Sequence, residues 1–348
     1  MTPLRDLIFF VTRRCNLRCR TCFYAGEIDR APAPHEAELT LAEIDRVAGN
    51  LKRLDSLLLS GGEPFLCENL VEICAIFHRR CRISAIHLPS NGLLRERVLA
   101  WTGDILARLP GVRLTLSLPL DGLEAAHDGM KGTAGSFRST IETVRSLSPL
   151  RRKFPALQTH IITVVSRENL ADVLPLAEWV KRNLDVDGHG PSPLRGHPRD
   201  PGLHPPGARE WQQLAEALLP YHRYWLERGR RPRLRAALAF RRVRYLYGLY
   251  ARVLAGGALP FRCPAGERIA VLEPDGGVRL CELTPLVGNV RSFHLDLRAL
   301  LRSRQAARGR LASESCSCTH ACFLERGMRS RAGPLARSLL GRAEPLHD

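Results

Sequence analysis

Residues 13–27 read RRCNLRCRTCFYAGE and set Cys15, Cys19 and Cys22 at C-x3-C-x2-C, directly behind the apolar run DLIFFV. That run is short, β-branched and aromatic, so it reads as a buried strand whose end delivers the thiols into a loop. Loops at strand ends are where chemistry is usually placed. Packed, inert thiols are the plainer reading, because free cysteine behaves as a small hydrophobe. Disulfides would require export, yet MTPLRDLIFFVTRRC has neither a long apolar core segment nor a small-residue cleavage site. The thiols are therefore expected to be reduced and the chain cytoplasmic. Structural zinc closes with four ligands in paired knuckles, whereas this loop offers three thiolates and no histidine nearby. Three thiolates suit a cluster with one iron left open.

The chain has 348 residues, enough for one large domain and a smaller one. No apolar stretch reaches the roughly 18 residues a spanning helix needs. The net charge of +17 favours acidic partners. Only Lys52, Lys131, Lys153 and Lys181 of the 52 basic residues are lysine, which reads as a compositional bias. No nucleic-acid motif accompanies the charge, so nucleic acid is not an expected partner.

Short apolar runs at Leu7–Val11, Ser56–Ser60, Ala85–Leu88, Arg113–Leu118, Thr159–Val165 and Val186–Gly190 alternate with helical patterns. Those patterns fall at about 40–52, 68–80, 94–108, 136–147 and 169–184, with Thr40 and Asn169 placed as caps. Strand–helix repeats imply parallel strands with right-handed crossovers, and six units make most of a barrel with ligands at the carboxyl ends. The fold class expected is α/β, a partial (β/α)6 TIM-like barrel followed by a small β-hairpin and helix domain. The segment GHGPSPLRGHPRDPGLHPPG reads as an irregular connection and 208–254 as a basic helical region. FRCPAGERIAVLEPDGGVRLCE reads as a hairpin about PDGG. The expected divisions are 1–190, a linker at 191–258, a small domain at 259–328 and a basic, frayed tail at 329–348.

Polar or glycine signatures close the early strands: LSGGEPF at 59–65, LPSNG at 88–92 and LSLPLDG at 116–122. Paired glycines admit close backbone approach, and a glutamate accepts from an ammonium. Together with the cysteine triad these segments resemble the radical S-adenosylmethionine (SAM) enzymes. The resemblance implies that Cys15, Cys19 and Cys22 hold a [4Fe–4S] cluster whose open iron takes SAM. It also implies that Gly61, Gly62 and Glu63 hold the methionyl amino group, and that Ser90, Asn91, Ser117 and Asp121 line the SAM side. Thr21 departs from the aromatic residue common beside the third cysteine, and Phe23 or Tyr24 would then supply the adenine contacts.

Five further cysteines, Cys263, Cys281, Cys316, Cys318 and Cys322, crowd the last quarter, with Gly276-x4-Cys281 and C-x-C-x3-C spacings. They resemble the SPASM/twitch extension of that family, which implies one auxiliary [4Fe–4S] cluster with one thiol to spare. Cys281 and Cys263 are its expected hairpin ligands and Cys318 and Cys322 its closers; four thiolates also suit structural zinc. Cys67, Cys74 and Cys81 recur every seven residues and stand about 10 Å apart along a helix, too far to share a metal.

His127 and Asp128 read either as proton-transfer groups or as loop hydrogen bonders, and Arg195 either as an anion grip or as a solvated side chain. The stretch 228–252 reads either as a surface for a membrane or acidic partner or as a packed helix with a basic outer face. The resemblance leads to hydrogen-atom abstraction from a small molecule or peptide, an anionic one included, followed by net oxidation through the auxiliary cluster. A flavodoxin or ferredoxin is the expected electron donor. An RNA-modifying enzyme of the same kind and a non-catalytic zinc or cluster module are the alternatives.

Overall fold

The expected strands all form, and their faces explain the architecture. The computed structural model describes residues 4–30, 38–228, 232–313 and 316–329. Six strands, β1 (Asp6–Thr12), β2 (Ser56–Gly61), β3 (Ala85–Pro89), β4 (Arg113–Pro119), β5 (Leu157–Val165) and β6 (Gly188–Pro193), pair in parallel in chain order. Along β5 every second residue is fully buried, and Gln158, His160, Ile162 and Val164 between them are only half-buried. One face is thus sealed by helices and the other lines the hollow of an open, partial barrel.

Thirteen helices accompany the sheet among the described residues. Those before β6 are α1 (Ala25–Asp29), α2 (Leu41–Leu51), α3 (Leu70–Cys81), α4 (Arg95–Arg108), α5 (Glu124–Lys131), α6 (Ser136–Ser146), α7 (Ser148–Lys153) and α8 (Val173–Asn183). α9 (Ala208–Arg228) and α10 (Arg233–Leu254) follow, then α11 (Leu297–Leu301), α12 (Arg304–Ala312) and α13 (Ala321–Arg329). Thr40 caps α2 as expected, in a reciprocal capping box with Glu43. Asn169 does not cap: its amide nitrogen donates to Asp121 O at 2.7 Å and Val164 O at 3.0 Å, tying two strand ends together.

Two expectations are corrected. The start of the proline-rich connection is itself β6, with Pro191 and Pro193 inside the strand. β6 lies at the edge of the sheet, where a missing N–H on the unpaired side costs nothing. The C-terminal hairpin, β7 (Ile269–Leu272) and β8 (Gly277–Arg279) with β9 (Leu286–Asn289), does not stand apart. β7 pairs with β1 in parallel, giving one nine-stranded sheet in the order β6-β5-β4-β3-β2-β1-β7-β8-β9. α13 then links the two cores: Phe323 joins the one under β1 and β7, while Leu324 and Met328 join the one under α9 and α10. The basic tail expected at 329–348 lies outside the described residues apart from Arg329.

Candidate functional site

The thiol triad sits where β1 ends, and the chain around it is fixed by backbone bonds. Gly62 N donates to Thr12 O and Glu63 N to Arg14 O, both at 2.8 Å, so the GGE turn continues the β1–β2 pairing. The paired glycines answer to this approach: a Cβ at Gly61 would lie 2.4 Å from Thr12 O, and one at Gly62 2.0 Å from Arg14 O. Beyond the triad, Arg199 N donates to Cys22 O and Asp200 N to Arg20 O, both at 3.0 Å, while Arg20 N donates to Met130 O at 2.9 Å. The thiols feel one another's charge. Burial pushes Cys15 up to about 12, with Cys19, Glu63 and Cys22 adding to it, and burial also raises Cys19 and Cys22. A metal must therefore displace their protons to bind.

Glu63 is buried, and its carboxylate accepts from Phe65 N at 3.1 Å and Asn91 N at 2.7 Å. Burial raises it to about 7 against those bonds, and each oxygen keeps a lone pair for an arriving cation. Asn91 reaches the thiol loop through Asn16, whose Oδ1 accepts its amide at 2.7 Å. Ser90 accepts from Gly92 N at 3.1 Å, and Ser117 stands half-buried on the lumen side of β4. Asp121 is wholly buried and engaged by Lys131 Nζ at 2.6 Å and Val164 N at 2.9 Å. It weighs directly on Cys19 and also pairs with Lys131, whose ammonium is pushed down by burial but raised overall by Asp121, Cys19 and Cys22 together.

Phe23 is half-buried and Tyr24 buried beside the triad. The Arg195 guanidinium lies 4.9 Å from the Phe23 ring centroid. Tyr24 is buried against Phe10, with its hydroxyl donating to Glu273. His127 accepts from Asp121 N through Nδ1 at 3.1 Å, and Asp128 caps the start of α6 through Gly135 N, Ser136 Oγ and Phe137 N. Both are loop hydrogen bonders. Arg195 pairs with Glu282 at 3.2 Å and keeps 23% of its side chain exposed. α10 is a packed helix with Tyr245, Tyr247, Leu249 and Tyr250 buried. Cys67, Cys74 and Cys81 are buried, and Cys81 donates to Ala48 O at 3.2 Å.

The second thiol set lies across the 194–200 loop. Cys263 and Cys281 each sense Cys316, Cys281 also senses Cys263, and Cys318 senses Cys281. Cys316, the exposed member, is drawn down to about 6 by accepting a hydrogen bond from Cys318. The charges weighing most on Cys322 are instead Arg326, Glu282, Glu325 and Arg195. Cys316 thus weighs electrostatically on both hairpin thiols. Among the described residues no three Cys, His, Asp or Glu side chains converge on one ion-sized point. Four thiolates are the donor set of a cubane cluster, whose ligands are spread over several irons, and also of structural zinc. A cavity of about 540 Å³ opens beside this set, walled by Leu194, Arg195, Leu203, Val253, Cys316 and Cys318.

Sequence reasoning missed Lys131, Glu273, Glu282 and His320. Only Glu282 and His320 carried a signal, their adjacency to cysteines.

Residues 9–180 match the family model described as Radical SAM superfamily. The GTP 3',8-cyclase of Acidothermus cellulolyticus is 30% identical over 237 residues, 58% of this chain and 62% of that protein. The pre-heme d1 synthase of Dinoroseobacter shibae is 27% identical over 184 residues, 51% of this chain and 41% of that protein. These matches span less than two thirds of either relative. The solved structure of anSMEcpe with bound AdoMet and the Cp18Cys peptide superposes with a TM-score of 0.61 at 17% identity, covering 90% of this chain and 84% of that one. At that identity the likeness concerns the fold.

Proposed function

We propose, from the premise that residues 9–180 of this chain are a Radical SAM superfamily domain, that the protein oxidises a small-molecule or peptide substrate through a carbon-centred radical. Cys15, Cys19 and Cys22 would hold the SAM-binding [4Fe–4S] cluster. Cys263, Cys281, Cys316 and Cys318 would hold an auxiliary one. The first cluster supplies the electron that splits SAM into methionine and a 5′-deoxyadenosyl radical, which takes a hydrogen atom from the substrate. The auxiliary cluster would take one electron from the substrate radical while a proton leaves to solvent, so that the substrate loses two electrons and two hydrogens overall and 5′-deoxyadenosine and methionine remain.

The chain's own residues prepare this. The GGE turn and Arg14 hold the triad loop against β2, and Glu63 stands in range of Cys15 as an acceptor for the SAM ammonium. Lys131 gives the triad a fixed positive neighbour. The lumen of the partial barrel, lined by half-buried positions such as Ser117, His160 and Ile162, offers the substrate a shielded site. The observation that carries the reading is the pair of thiol sets tied to one loop, Cys22 O accepting from Arg199 N and Glu282, next to Cys281, pairing with Arg195.

Reduced, anaerobically reconstituted protein incubated with SAM tests it. Formation of 5′-deoxyadenosine is expected, and zinc-only protein that leaves SAM intact would refute the proposal.

A further inference from the structure

Cys22 is followed by Phe23 and Cys281 by Glu282, and one guanidinium touches both followers. Arg195, two residues past β6, lies over Phe23 at 4.9 Å and pairs with Glu282 at 3.2 Å. The Glu282 side chain is 3% exposed and that of Arg195 23%. His320, between Cys318 and Cys322, bonds the same Glu282 oxygen through Nε2.

The segment carrying Arg195 is strapped to both sets. Gly196 has a φ of +69°, and a Cβ there would lie 2.6 Å from Leu283 Cδ2 and 3.4 Å from Phe23 Cβ. Three residues on, Arg199 N donates to the Cys22 carbonyl. Arg195 therefore cannot leave Glu282 without disturbing the contact between the two sets.

The charges decide what this does. Glu282 is 3% exposed and takes both the Arg195 guanidinium at 3.2 Å and His320 Nε2 on one oxygen, the partners a carboxylate requires. One partly buried cation and one buried anion thus face each other beside Cys281. An electron arriving on a nearby cluster is favoured by an unbalanced positive charge and opposed by an unbalanced negative one, and in a poorly solvated interior that effect is large.

We propose that Arg195 and Glu282 are positioning residues whose balanced charges set the reduction potential of the auxiliary cluster. This rests on the two-cluster reading above.

The test is an EPR-monitored redox titration of the full-length, anaerobically reconstituted protein. Glu282→Gln, which leaves Arg195 unbalanced, is expected to raise the auxiliary midpoint potential. Arg195→Met, which leaves Glu282 unbalanced, is expected to lower it, and the double variant should return close to wild type. Arg195→Lys keeps the charge, so it should stay near wild type even if Arg195→Met fails to fold. Single variants that shift in the same direction, or do not shift while keeping their iron, overturn the proposal. Wild-type protein with one cluster's iron and a single EPR signal would instead sink the two-cluster reading.

Discussion

The hydroxyl of Tyr24 donates to the carboxylate of Glu273, a residue 249 positions later in the chain. Glu273 is wholly buried and also takes Arg279 at 2.7 Å and Arg13 at 3.4 Å. Arg279 in turn holds Glu27 at 2.8 Å. The residues on both sides of the thiol triad are therefore fastened to the turn after β7. Tyr24→Phe should cost about 1–2 kcal/mol in denaturant unfolding, since it removes one bond to a charged acceptor. Glu273→Ala should cost more, about 2–4 kcal/mol, because it removes the shared acceptor of Tyr24, Arg13 and Arg279, although Arg13 keeps Asp275 at 3.0 Å and Arg279 keeps Glu27. Equal costs for the two variants would show that Glu273 is no hub.

Iron content separates the two thiol sets. Wild-type protein reconstituted without oxygen should hold about eight irons, and Cys15→Ala/Cys19→Ala/Cys22→Ala about four. That variant should form no 5′-deoxyadenosine. Unchanged iron in the triple variant would remove the triad from metal binding.

Glu63→Gln tests the ammonium acceptor. The amide can still accept from one of the two backbone donors but carries no charge, so the site should keep its iron. SAM affinity, measured by calorimetry, should fall by about tenfold or more, the loss of a charge-assisted bond worth about 1.5–3 kcal/mol. Wild-type affinity in this variant would place the methionyl group elsewhere.

Two glycine substitutions should have opposite signs. Gly62→Ala puts a Cβ 2.0 Å from Arg14 O, where only movement of backbone can relieve it, so the triad loop should lose its geometry and its iron. Gly49→Ala, exposed inside α2 with nothing within 4 Å of the new Cβ, should raise stability by about 0.5–1 kcal/mol. Comparing iron retention and thermal midpoints of the two variants checks both.

Acid should reveal the contact between α2 and the segment after β9. Glu43 is held down to about 2, chiefly by Arg291 and despite some desolvation, with Thr40 helping. Its folded value is thus below its unfolded one, so its contribution is complete above about pH 4.5 and is lost as pH falls toward 2. Wild type should exceed Glu43→Gln by ~1 kcal/mol in urea unfolding near neutral pH, with the gap closing on acidification. A gap that widens as pH falls would contradict the assignment.

The first five barrel strands were legible because each is a short apolar run whose period-two face is sealed by a helix. Thr40 was legible because capping chemistry is local. Only the start of β6, within Val186–Gly190, was legible, since Pro191 and Pro193 argue against a strand everywhere except at an edge, and edge position is a property of the whole sheet. The triad could be read from spacing alone. What surrounds it could not: Lys131, Glu273 and Glu282 act through partners 10, 249 and 87 residues away, and no local pattern encodes such pairs. Which four of the five C-terminal thiols act together is likewise not written in the spacing, because C-x-C-x3-C does not say which thiol turns toward the hairpin.

The pairing of β1 with β7 sets a schedule for the growing polypeptide. Asp6 waits for Ile269 and Phe9 for Leu272, so β1, made before every other strand of this sheet, is among the last to have both neighbours in place. Until then its free row of N–H and C=O groups is an open template on a strongly apolar strand, the arrangement most prone to pairing with another chain. A nascent chain shorter than about 270 residues could build its parallel repeats and still be sticky along β1. Arrival of the hairpin closes that edge, so the segment that brings the second thiol set also ends the period in which the barrel is liable to aggregate.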